Sequence, residues 1–164
     1  MRGLVGLRHA AFVALVALAP LGTARAAPPE PAACAALKSG AEAALSATST
    51  LSTGPVSYPG LADAPGCTIT FSGTGQVFGP SFQAVGAKLD AMLKGQGWTQ
   101  DHNADADGPT GTATGYRKAT TAVAVSVGYD TPKGVCREDA PMASCHPTPA
   151  QMSYTITLGA RPGS

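Results

Sequence analysis

The sequence has 164 residues, 44% of them hydrophobic but only 5% aromatic and 13% charged, with a formal net charge of +1. Removing Arg2, Arg8 and Arg25 with an N-terminal leader leaves eight basic against ten acidic residues, a balance near −2. So weak and mixed a charge excludes the basic footprint of a nucleic-acid binder and offers an anionic membrane surface nothing to attract.

Residues 1–26 have the build of a secretory signal. Arg2 and Arg8 form a positive start, Ala10 to Leu21 is a short apolar run broken by Pro20, and Ala24-Arg25-Ala26 is a small-x-small cleavage site. The apolar run is too short to anchor in about 30 Å of hydrocarbon, and no second stretch of the sequence could span a bilayer. The chain is therefore expected to be cut near Ala26 and to work in the periplasm or outside the cell. The remaining 138 residues suit one domain with a core of its own. In an oxidising compartment Cys34, Cys67, Cys136 and Cys145 read as disulfides and not as metal ligands, since no Cys-x-x-Cys occurs. Four cysteines allow three pairings. Spacing favours Cys136–Cys145 as a local clamp, leaving Cys34–Cys67 to join two separate elements. A lipid-attachment reading of Pro31-Ala32-Ala33-Cys34 is weak, because Cys34 lies well past the apolar run.

After a proline-rich leader at 27–31, Cys34, Leu37, Ala41, Ala44 and Leu45 recur at helical spacing and put Cys34 on a buried face. Residues 48–66, dense in Ser, Thr, Pro and Gly, read as a long surface connection. From Cys67 the period becomes two: Cys67, Ile69 and Phe71 alternate with Thr68, Thr70 and Ser72, a half-buried strand. Phe82, Val85, Leu89, Met92 and Leu93 predict a second helix, ended by Gly95 or Gly97. Strands follow around Thr112–Arg117, Val123–Tyr129 and Met152–Leu158. The predicted order is α-β-α-β-β-β: an α+β, two-layer fold with a four-stranded antiparallel sheet, two helices on one face and a Ser/Thr-rich face toward solvent, whose plain reading is a solvated side and whose alternative is a flat docking surface.

Three places could hold chemistry. Asn103, Asp105, Asp107 and Gly108 match half of a calcium loop, but Thr114 stands where the bidentate carboxylate belongs. The plainer reading is a charged turn after the second helix. Gly73-Thr74-Gly75 to Gly79 lacks the third glycine of a dinucleotide loop. The loop from Asp130 to Pro149, clamped by Cys136 and Cys145, presents Lys133, Arg137, Glu138, Asp139, Met142 and His146 for recognition, and a clamp lowers the ordering cost of binding. Catalytic signatures are missing from the sequence: no Gly-x-Ser-x-Gly, no Ser-x-x-Lys, no His-Glu-x-x-His. The sequence therefore points to a non-enzymatic interaction module that needs no cofactor and engages another envelope or extracellular protein. The alternatives are a small secreted hydrolase with a loop-assembled site around His102 or His146, and a weak calcium-binding module.

Overall fold

The computed structural model describes residues 31–137, 141 and 144–163; the expected leader lies outside them. Helix α1 (Pro31–Leu45) is followed by strands β1 (Thr50–Tyr58) and β2 (Leu61–Thr74). The single turn α2 (Gly75–Phe78) leads to helix α3 (Phe82–Gly95), then to β3 (Thr99–Gly108), β4 (Gly111–Lys118), β5 (Thr121–Asp130) and β6 (Ser153–Pro162). The strands form one antiparallel sheet of order β1-β2-β6-β5-β4-β3. The α+β class is as expected, but the sheet has six strands and not four.

Both additional strands correct an expectation. Residues 48–66 are not a connection: they make the β1–β2 hairpin, in which Thr50 to Val56 pair with Thr70 to Ala64. Pro55 lies opposite Pro65. Neither has an N–H to donate, so this is a position where the ladder forms no hydrogen bond, and the two prolines cost it nothing. The acidic stretch from Asp101 to Gly108 is likewise not a turn but most of edge strand β3, whose register shifts between Asp101 and Ala106.

Both helices lie on one face of the sheet, as their stripes require. α1 buries Cys34, Leu37, Ala41 and Leu45; α3 buries Phe82, Val85, Leu89 and Leu93. These pack on Ile69 and Phe71 of β2, Val123, Val125 and Val127 of β5, and Tyr154, Ile156 and Leu158 of β6. Ser81 caps α3 by accepting the Ala84 N–H at 3.2 Å. Tyr116 of β4 donates to Asp90 of α3 at 2.9 Å and ties the second helix to the sheet. The Cys34–Cys67 disulfide does the same for α1 and β2. Among the described residues no helix is long and apolar enough to cross a membrane.

Candidate functional site

The other sheet face is made of small side chains. Alternation puts Ala122, Ala124, Ser126 and Gly128 of β5, Thr155, Thr157 and Gly159 of β6, and Ala113 and Gly115 of β4 opposite the helices. With little bulk over the middle of this side, the sheet coils toward it until its two edge strands meet. Tyr58 of β1 donates to the Asp101 carboxylate of β3 at 2.9 Å, and a second, small core gathers Tyr58, Ala104 and Ala122. The coil depends on two glycines. A Cβ on Gly66 would overlap the Ala160 carbonyl oxygen, and one on Gly115 would overlap the Tyr58 hydroxyl and the Ala104 methyl.

The result is a trough, closed where the edges meet and open at the far end. Its floor holds two connected hollows of about 550 and 280 Å3, which share Ala113, Ser126 and Thr157. The inner hollow is walled by Pro55, Val56 and Pro59 of the hairpin on one side and Ala104 on the other. Asp107 and Asp130 stand at the open mouth beside Gly108 and Gly111. Among the described residues no Lys, Arg or His lines either hollow. The trough thus offers methyl groups and hydroxyls along its length and negative charge at its entrance.

The closed end is a clasp. One oxygen of Asp101 accepts from Tyr58 Oη and, at 2.7 Å, from Arg117 Nε, while Arg117 Nη1 donates to the Gly163 carbonyl at 2.8 Å. The guanidinium carbon stands 5.0 Å from the centre of the Tyr58 ring. Arg117 and then Tyr58 hold the Asp101 carboxyl below the usual carboxylate range. Burial, together with the Asp101 carboxylate, pushes the Tyr58 hydroxyl up to about 12. Neither group exchanges its proton near neutral pH, so the clasp is a fixed strut and not an acid–base pair. Beside it Arg161, only 3% exposed, donates to the carbonyls of Ala62, Val56 (3.5 Å) and Pro162 (2.9 Å), pinning the hairpin to β6.

The clasp makes acid sensitivity predictable. A carboxylate whose folded pKa is depressed contributes stability above its unfolded value, about 3.9 for Asp, and loses it as pH falls through the folded value. The melting temperature is expected to drop as pH falls below about 4, and to drop less steeply in Asp101→Asn. Parallel profiles for the two proteins would show that the clasp carries no charge-dependent stability.

The residues singled out in the sequence are dispersed. Asn103, Asp105 and Asp107 lie along β3 with separate partners: Asn103 donates to Asp101, Asp105 accepts from Gln100 and bonds His102, and Asp107 accepts from Thr112. No group of three metal-binding side chains occurs among the described residues. The histidines gather no catalytic set among those residues: His102 meets only Asp105, with 79% of its side chain exposed, and His146 is exposed. Both disulfides pair as spacing favours, Cys34 with Cys67 and Cys136 with Cys145. Lys133, Arg137 and His146 lie exposed on the clamped loop, which leaves the sheet at Asp130 in the trough mouth. Glu138, Asp139 and Met142 lie outside the described residues. No protein-family model, curated protein or solved structure matches the chain.

The trough was not foreseen from the sequence, although a signal for it is present. The outward positions of β4, β5 and β6 are small at every step from Ala113 to Gly115, Ala122 to Gly128 and Thr155 to Gly159. A sheet face of that kind is expected to curl inward, because nothing on it holds the strands apart.

Proposed function

We propose that this chain is an exported, non-catalytic binding module, freed of its leader near Ala26 and acting in the periplasm or outside the cell on another envelope or extracellular protein. The observation that carries the reading is the trough. It has the volume of a binding site, a fixed closed end and an open mouth, and it sets hydroxyls and two carboxylates among methyl groups. Its shape suits an extended segment of a partner, laid along the floor with a basic group toward Asp107 and Asp130. The clamped loop rises from the same mouth, where Lys133, Arg137 and His146 would meet the partner's surface outside the trough. The two disulfides support the exported location, since such bonds persist in oxidising compartments.

The test is site-specific photo-crosslinking in the native envelope, with the probe at Ser126 in the floor and, as a control, at Asp63 on the exposed tip of the hairpin. The expected result is one dominant protein adduct at Ser126 that Asp63 does not give and that Ala113→Trp abolishes. Identical adduct patterns at the two positions would overturn the reading.

A further inference from the structure

The two edges of the sheet are built differently, and the difference bears on what each can pair with. β3 carries the carboxylates of Asp101, Asp105 and Asp107 and a shift of register between Asp101 and Ala106. Charges and bulges of this kind keep a sheet edge from pairing with another strand. β1 has neither device at its start. From Thr50 to Tyr58 it contains no charged residue, and Thr50 to Pro55 are all exposed. Leu51, 41% exposed, is one of two large hydrophobic side chains that the described residues leave in solvent.

The direction of the free backbone groups follows from the proline pair. Because Pro55 and Pro65 face each other without a hydrogen bond, alternation places Leu51 and Thr53 in the same phase. Their N–H and C=O groups therefore point away from β2. The side chains agree: the hydroxyls of Thr50 and Ser52 each lie 3.5 Å from the carbonyl oxygens of Thr70 and Thr68, which are the carbonyls turned toward β1. The outer edge thus presents a donor and an acceptor at Leu51, the same at Thr53, and only an acceptor at Pro55, where a longer ladder would end.

We infer that β1 is a contact between two copies of this chain. An antiparallel, two-fold arrangement with its axis at Ser52 sets Leu51 against Thr53 of the second copy and Thr53 against its Leu51. All four donors and four acceptors are then matched, no charge opposes another, and the two Leu51 side chains come within diagonal reach on the helix side. The β3 edge cannot pair in this way, because it would bring like carboxylates together across a bulge. Association therefore closes at a dimer and does not run on into a fibre. The contact is short, so it is weak and concentration-dependent.

Sedimentation equilibrium of the purified protein from about 10 μM to about 1 mM brackets the affinity of so small an interface. A monomer–dimer equilibrium is expected, weakened about tenfold or more by Leu51→Lys, since a charge on an edge opposes pairing, and unchanged by Asp107→Asn on the other edge. Amide exchange on the unaltered protein gives a second reading: the Leu51 and Thr53 amides should slow as concentration rises, and the Asp105 amide should not. A monomer throughout the range, a dimer indifferent to Leu51→Lys, or concentration-independent exchange at Leu51 and Thr53 would each overturn the inference.

Discussion

Replacing Cys34 and Cys67 together by alanine is expected to cost more stability than any other change considered for this chain. The bond closes a loop of 33 residues, and chain entropy alone assigns such a closure about 3.7 kcal/mol. Both sulfurs are also buried, Cys34 at 6% and Cys67 at 1% exposure, so their packing is lost with the bond. Against a typical net stability of about 5–15 kcal/mol, this brings the fold close to its limit. Position compounds the loss, because Cys34 lies buried in the first turn of α1, and this helix covers one side of the core. The bond Cys136–Cys145 closes nine residues, for which the same relation gives about 2.6 kcal/mol. Urea denaturation followed by circular dichroism should therefore rank the wild type first, Cys136→Ala/Cys145→Ala next and Cys34→Ala/Cys67→Ala last. Equal losses, or the reverse order, would mean that the buried bond is not what fixes α1.

A single methyl group at Gly66 is expected to have the second largest effect, about 3 kcal/mol, at the upper end of what overpacking costs. The added carbon would overlap the carbonyl oxygen of Ala160 and stand 2.9 Å from a methyl of Val56. Ala160 cannot yield, because β6 is paired on both sides, to Cys67 and to Val123 at this level. Relief must come from Val56 and with it the hairpin, whose displacement pulls Tyr58 from Asp101 and the Ala62 carbonyl from Arg161. Gly54 is an internal control, since it lies directly opposite Gly66 in the hairpin and has nothing within 4 Å of the same added atom. Gly54→Ala should stay within about 0.5 kcal/mol of wild type. If Gly66→Ala behaves like Gly54→Ala in the same denaturation experiment, the hairpin does not bear on β6 as closely as the structure has it.

The parts of this fold that were legible in the sequence are those with large apolar side chains at a regular period. Phe82, Val85, Leu89 and Leu93 define α3, and Val123, Val125 and Val127 define β5, because burial selects bulk on one side and leaves the other free. The hairpin was illegible because its prolines and glycines are turn formers almost everywhere else. Only the facing of Pro55 by Pro65 makes them compatible with a ladder, and that is a property of the pair. β3 was illegible for another reason: its buried contact is a single alanine, Ala104, under Tyr58, and alanine carries almost no hydrophobic signal. The candidate site was harder still. A trough defined by what side chains lack cannot be found by looking for reactive residues, and the acidic run that drew attention serves the edge of the sheet. The disulfide pairing was legible only as a preference: spacing favoured a local Cys136–Cys145 clamp, but three pairings stayed open until the structure set Cys34 of α1 against Cys67 of β2.

The order of the strands sets a timetable for folding. Of the six described strands β6 comes last along the chain, yet it lies in the middle of the sheet, between β2 and β5. Until it arrives, the first half of the chain holds a hairpin with a bare inner edge, and the second half holds a three-stranded meander with another. Neither can be completed by the other, since the strand that bridges them has not been made. The sheet therefore forms late and through distant contacts, the circumstance that makes folding slow. A sheet that stays open until β6 is made keeps the chain extended for longer, and that state would suit the export proposed above.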